Sequence, residues 1–199
     1  MAASNSALIV PGNGTLFYAA KTAALPAEPL TAFSLTGTPP TGWTNLGHTS
    51  KENTAAFSRE GGETTALNTW LQDNVRTVYS ATSWGLTIPA LQFDGDTLDL
   101  AFNGDFDPTT GGYIVPGQSA PIETQLFMLM QDNSGKLAFW MPETTVTLGE
   151  APSVTPEAFM ELPLSAAINS APEDVMPAVD GRPGIMQIFK TGLTAPTTP

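Results

Sequence analysis

Ile122-Glu123-Thr124-Gln125-Leu126-Phe127-Met128-Leu129-Met130-Gln131 runs into Asp132-Asn133-Ser134-Gly135 and then Lys136-Leu137-Ala138-Phe139-Trp140-Met141-Pro142. The four central residues are turn formers, and the flanks are rich in aromatic and apolar residues. The stretch therefore predicts a β-hairpin with strands at 122–131 and 136–142. Both strands are apolar almost without a break, as expected where both faces of a sheet are covered. In a chain with few helical signals, the second cover is expected from a neighbouring subunit.

Working outward, the same all-β signature recurs. Val75, Thr77 and Tyr79 alternate with Arg76, Val78 and Ser80, and Trp84, Leu86 and Ile88 alternate with Gly85, Thr87 and Pro89. Period two with β-branched and aromatic residues predicts two strands. Early strands are expected at Ala7 to Val10 and Leu16 to Ala20, joined by a turn at Pro11-Gly12-Asn13-Gly14. Later ones are expected at Val146 to Leu148, Phe159 to Ala166 and Gly184 to Lys190. The 18 Gly and 18 Pro are spread through the chain as punctuation between short apolar runs, which fits a mainly β fold.

One segment reads two ways. In Asp96 to Gly104, Leu98, Leu100 and Phe102 alternate like a strand, while Leu98, Ala101 and Phe102 stand at helical spacing. Asp96 as N-cap, Asp99 in the first turn and Gly104 as a stop favour a short helix.

The 199 residues suggest one domain, 1–199. Residues 21–42 hold Pro26, Pro29, Pro39 and Pro40. So long a loop is unusual in a compact domain, and 21–50 is expected to be an extended arm. The Thr/Pro-rich tail 193–199 is expected to be flexible. No internal repeat is visible.

Composition narrows the function. Seven basic against 19 acidic residues give a formal charge of −12, with only 13% of residues charged. A nucleic-acid groove needs clustered Lys and Arg, and an anionic membrane surface attracts the same groups, so neither partner is expected. The chain has no Cys, which excludes disulfides, thiol catalysis and Cys-based zinc sites. The N-terminus has no basic region before Lys21, and no apolar run approaches the roughly 18 residues of a membrane span. A soluble chain made in the cytoplasm is expected.

Catalytic constellations are missing. His48 is the single His, and there is no G-x-S-x-G elbow or phosphate-binding Gly loop. Gly12-Asn13-Gly14 reads as a turn. Asp94, Asp96, Asp99, Asp105 and Asp107 do not meet the Ca²⁺-loop pattern, which requires an oxygen ligand, a Gly and a Glu where this chain has Leu98, Asp99 and Asp105. They read as caps and turn residues, and any Ca²⁺ binding at Asp94, Asp96 and Asp99 is left to titration. Glu60 and Glu63 have the residue types of a glycosidase pair but no aromatic cleft in sequence around them, and they read as solvated hairpin ends. No cofactor, metal site or catalytic residue is expected.

From Gly42 to Gly104 a specific order appears: Gly42-Trp43, then Asn45-Leu46-Gly47-His48-Thr49-Ser50, then Phe57-Ser58-Arg59-Glu60, then Trp70, then Val75-Arg76-Thr77, then Leu91-Gln92-Phe93 and Leu98 to Gly104. This order resembles the major tail proteins, or tail tube proteins, of long non-contractile-tailed bacteriophages, especially those of actinobacteria. The opening Thr15-Leu16-Phe17-Tyr18-Ala19-Ala20 before a Pro-rich arm is similar too. The order and spacing carry the resemblance, over about two-thirds of the chain.

The resemblance implies a β-sandwich or partial barrel with one flanking short helix, built around Leu98, Ala101 and Phe102. It implies hexameric rings whose inner sheets join into one barrel, stacked into a tube that conducts the genome into the host. Tape-measure, tail terminator and distal tail proteins are the implied partners. The implied location is the virion tail, assembled in the host cytoplasm, with DNA passing through unbound.

Contacts between subunits are expected at Pro39, Pro40, Trp43, Leu46, His48 and Trp70, with a place in the core the alternative for Trp43 and Trp70, and Trp84 is expected in the core of its strand. Glu60, Glu63, Glu123 and Glu161 are expected on or near inner-sheet strands, where carboxylates repel DNA carrying about one charge per 1.7 Å; the alternative is that they solvate the outer face. A second functional class, a monomeric carbohydrate- or ligand-binding β-sandwich module, would show an exposed aromatic platform. A hydrolase is weakest, for want of a nucleophile and base.

Overall fold

The structure, a computed structural model, describes residues 8–118 and 120–194. In chain order its elements are β1 (Asn13–Ala19), α1 (Pro29–Ala32), β2 (Trp43–Asn45), β3 (Ala56–Gly61), β4 (Thr64–Leu67), β5 (Arg76–Tyr79), β6 (Thr82–Ala90), α2 (Gly95–Phe102), β7 (Asp105–Asp107), β8 (Gly112–Ile114), β9 (Ile122–Gln131), β10 (Lys136–Leu148), β11 (Leu162–Ile168) and β12 (Gln187–Lys190). The protein is mainly β, as the sequence predicts.

The hairpin of β9 and β10 is the spine. Gln131 pairs with Lys136 and Met130 with Leu137. Asp132 closes the turn, its carboxylate accepting from the Ser134 hydroxyl at 2.6 Å and from the N–H groups of Ser134 at 2.7 Å and Gly135 at 3.1 Å. β1 lies on β9 and β11 on β10, all antiparallel. The sheet order is β2-β1-β9-β10-β11-β6-β3, with β12 also on β10.

The sheet then curls on itself. Just after β2, Thr49 bridges Ala90 at the end of β6, the Ser50 N–H donates to Pro89 O, and the Leu91 N–H donates to His48 O, each bond 2.9 Å. This partial closure encloses a core of Leu16, Leu86, Ile88, Leu126, Met141 and Leu164, plugged by Leu100 and Ala101 of α2.

Helix α2 forms where the sequence is ambiguous, with a different cap. Asp94, not Asp96, sits at the N-cap in extended backbone and accepts from the Thr97 N–H at 2.9 Å. Asp96 lies inside the first turn, where an acid meets the positive helix end. The stop falls at Asn103 rather than Gly104: Asn103 takes the left-handed conformation at φ 48°, which Asn tolerates better than most residues. Thr97, Leu100 and Ala101 are buried, and Leu98 and Phe102 pack half-buried against the same core.

The second face of the hairpin is covered by the chain itself, not by a neighbour. Phe17, Phe127, Leu129, Ala138 and Trp140 form a second core with Phe33 and Trp43, and Ala171 and Met176 join it. Phe33 is fully buried. The segment expected as a free arm is therefore fastened along much of its length. The Gln125 side-chain amide donates to Ala20 O at 2.9 Å and Ala23 O at 2.6 Å. The Trp43 indole donates to Ala24 O at 3.0 Å, and Lys136 Nζ donates to Leu30 O at 2.6 Å and Phe33 O at 2.9 Å. The two buried aromatic rings, each worth about 1.5–3 kcal/mol or more of transfer from water, contribute to holding the segment, and its Pro residues reduce the freedom lost on ordering it.

Smaller corrections follow from the ladder. Of the first expected strand, Ala7 lies outside the described residues, and Leu8 to Val10 are irregular. Asn13 and Gly14, read as turn, are the first residues of β1 because β9 is long enough to pair with them. The strand expected at Val146 to Leu148 is the end of β10, which continues past Pro142 through a bulge between Met141 and Thr144. A bulge tolerates a residue with no N–H. β11 starts at Leu162, so Phe159 is left 83% exposed. β12 starts at Gln187 rather than Gly184. Trp84 is half-buried at the rim of the core, with the Arg59 guanidinium 6.0 Å from its ring. In the C-terminal tail, Leu193 is exposed, and 195–199 lie outside the described residues.

Candidate functional site

Beyond the covered half of the hairpin, the outer face of the sheet is bare. Alternation along β3, β6, β10 and β11 puts Ser58, Glu60, Ser83, Thr87, Ser165 and Thr145 on the side away from the core. The ladder sets Ser58 against Gly85, Glu60 against Ser83 and Ser165 against Thr87. Ser58 sits so close over Gly85 that a Cβ there would meet its Oγ at 2.7 Å. The face is thus polar and built mostly from small side chains, and it ends on β3, whose outer edge no strand among the described residues pairs. An unpaired edge is a template for another chain.

Past that edge the chain extends. β4 and β5 form a separate two-stranded hairpin in which every residue is exposed. Gly61 and Gly62, at φ 76° and 75°, turn β3 into it. The left-handed backbone and the close approach of Ala81 O to Gly61 leave no room for a Cβ at Gly61. At the tip Trp70 and Leu71 are wholly exposed, and Leu67, Val75, Val78 and Tyr79 add apolar surface along the arms. Large apolar side chains held in water on a projecting hairpin mark a contact surface.

The expected contact residues divide sharply. Trp70 is at this tip. Trp43 and Leu46 are buried within their own chain, at 5% and 4% exposure, and offer no surface to a neighbour. Pro39 and Pro40 are half-buried in the covering segment, where Pro40 O accepts from the Trp43 N–H at 3.0 Å. His48 is exposed, but its backbone is tied down by Gln92 Oε1 at 2.7 Å.

The four expected acids also separate. Glu60 lies on the bare face of β3. Glu63 is exposed where β3 passes into β4, its N–H donating to Ser80 Oγ at 3.0 Å. Glu123 is exposed on β9 but paired, with Lys21 Nζ at 3.1 Å from it and 2.6 Å from Glu143. Hydrogen bonds to Glu143 and Glu123 raise the Lys21 pKa above that of a free lysine. Glu161 is half-buried just before β11 and accepts from Asn53 Nδ2 at 2.9 Å. The structure does not gather the four into one cluster.

The Asp-rich stretch is occupied by local bonds. Asp99 accepts from the Tyr113 hydroxyl at 2.6 Å, Asp107 from Thr110 at 2.6 Å and Asp94 from Thr97. Hydrogen bonds from Thr110 and Thr109 lower the Asp107 pKa. Burial pulls Asp94 upward, but the bonds from Thr97 and Gln92 outweigh it and the net shift is down. No group of three or more metal-ligating side chains occurs among the described residues, and none of their helices is long and apolar enough to cross a membrane.

Sequence reasoning placed Glu60 and Glu63 at hairpin ends and a strand at Val75 to Tyr79, but missed the bare face, the strand β4 and the apolar tip. On β6, Ser83, Gly85 and Thr87 alternate with Trp84, Leu86 and Ile88, and on β11 Ser165 sits between Leu164 and Ala166; that period was the available signal. What stands out from the molecule is contact surface: a free edge, a bare sheet and an apolar-tipped hairpin. That is the anatomy of a structural β-protein.

Comparison with known proteins gives that class its place. The phage tail tube protein family matches residues 1–177, and the chain belongs to that family. It is also similar to the major tail protein Gp23 of Mycobacterium phage L5, with 29% identity over 104 residues. That match covers 51% of this chain and 52% of the relative, so the chain spans about half the length of the curated relative it matches. The family is structural, which places the chain among the proteins of the phage tail and outside the enzymes.

Proposed function

We propose that the chain assembles into hexameric rings that stack into the tail tube, with the bare face of β3, β6, β10 and β11 turned to the bore. The observation that carries this reading is the free edge of β3 at the end of an uncovered sheet. Pairing that edge with the sheet of the next subunit removes the aggregation hazard and joins the sheets into one continuous wall. A heterologous contact of this kind gives a ring when its rotation closes, and a second, head-to-tail contact between ring faces stacks the rings.

The charge fits the cargo. Each copy contributes −12, and the bare face offers DNA hydroxyls and the Glu60 carboxylate. Repulsion within about 8 Å of the wall, the screening length at physiological salt, lets a duplex slide without sticking. The tube forms in the host cytoplasm, its length set by a tape-measure protein and its ends by terminator and distal tail proteins. DNA is a passenger, delivered to the host without specific binding. Negative-stain microscopy of the purified chain tests this: rings or tubes are expected, and strictly monomeric particles at high concentration overturn it in favour of a monomeric binding module.

A further inference from the structure

The mouth of the curled sheet holds a groove of about 540 Å³. Met128 and Met130 of β9 line it, with Gly14 of β1 on one side and Thr49, Lys51 and Thr54 of the chain leading to β3 on the other. Its volume is that of a site able to enclose a large side chain. Methionine thioethers adapt to an aromatic guest. Past Leu16, whose carbonyl accepts from the Leu46 N–H at 2.8 Å, no strand among the described residues pairs with the β1 edge at Asn13 and Gly14 beside the groove.

We propose that the hairpin tip of a second copy, Trp70 with Leu71, docks in this groove; the inference rests on the tube-forming function proposed above and names the receptor for its hairpin. The tip of the same chain cannot fill it. β3 starts beside the groove, and β3 alone, six residues at about 3.3 Å each, carries the chain roughly 20 Å away before the hairpin begins. Trp70 and Leu71 are accordingly bare.

Charge selects the same partner. Two copies at −12 repel, so a stable contact sets a cation against an anion. Lys51 on the groove rim and Asp73, three residues past Trp70, make no ion pair among the described residues. Docking the tip brings them together. Because hairpin and groove are different surfaces of one chain, the contact is heterologous and propagates.

The Cys-free sequence makes the test clean. One chain carries Leu71→Cys, a second carries Thr54→Cys, and the two are mixed under oxidising conditions. A disulfide-linked mixed dimer is expected, with neither variant linking to itself. Trp70→Ala is expected to raise the concentration needed for assembly at least tenfold while leaving the monomer's melting temperature unchanged, since the ring touches nothing in its own chain. Lys51→Glu is expected to weaken assembly, and adding Asp73→Lys to restore it. Tubes that form with no mixed disulfide and no effect of Trp70→Ala overturn the docking and leave the proposed function standing. A chain that never assembles overturns both.

Discussion

Phe33 stacks on Phe127 with ring centroids 4.1 Å apart and planes 16° from parallel. Phe33 comes from the Pro-rich segment and Phe127 from the middle of β9, so the contact joins the least regular part of the chain to the most regular. Phe17 at 4.9 Å and Trp43 at 5.1 Å complete the cluster around Phe33. The outer face of the hairpin is thereby sealed within one subunit, while the rest of that face of the sheet stays bare.

Phe33→Ala is expected to cost about 3–5 kcal/mol, the range for emptying a buried aromatic site. Denaturant unfolding measures it, and limited proteolysis should cut first within 21–42. A loss below about 1 kcal/mol would show that the segment is not held by this ring.

Gln125 is the polar counterpart of Phe33. Its oxygen accepts from the Trp140 indole N–H at 2.9 Å while its amide holds Ala20 O and Ala23 O. Gln125→Ala strands the buried indole donor and is expected to cost about 1–3 kcal/mol. Hydrogen exchange should rise around residues 21–24, and unchanged exchange there would contradict the latch.

The cap assignment at α2 is tested by a pair of substitutions. Asp94→Ala removes the bond to Thr97 and is expected to cost about 1 kcal/mol, as N-cap losses do. Asp96→Ala removes a charge near the helix end and the hydrogen bond between the Tyr18 hydroxyl and the Asp96 carboxylate, neither of which caps the helix. Hydrogen exchange at the Thr97 N–H is therefore expected to rise in Asp94→Ala and to stay unchanged in Asp96→Ala, and the reverse pattern would move the cap to Asp96.

These elements differ in how far the sequence exposes them. The β9–β10 hairpin was legible because apolar runs flank four turn residues. Its second cover was not, because Phe33 and Trp43 stand alone among Pro, Thr and Gly, and two isolated aromatics have no period. The α2 caps were misplaced by two residues at the start because Asp94 and Asp96 are both good caps and only backbone geometry separates them. Strand ends slipped at Pro142, where a bulge let one strand continue through a residue that normally stops it. Of the contact residues, Trp70 and Trp43 look alike in sequence; only the ladder shows that one is a hairpin tip and the other a lid.

Asp132 sets an acid limit on the hairpin. Hydrogen bonds from Ser134 and from the Val10 N–H hold its pKa down to about 2, against 3.8 for a free aspartate. With the folded value depressed, the unfolded chain binds more protons between the two, so this contribution is complete above about pH 4 and fades as pH falls toward 2. Asp132→Asn should flatten the stability–pH curve in that window. A curve as steep as that of the parent chain would mean that other carboxylates set the acid limit.

Electron cryomicroscopy of tubes grown from the purified chain tests the central claim most directly. The account predicts stacked six-membered rings whose bore is lined by Ser58, Glu60, Thr87 and Ser165, with β3 paired to the next subunit. Tubes in which those residues lie on the outer surface, or in which the β3 edge stays unpaired, would contradict it.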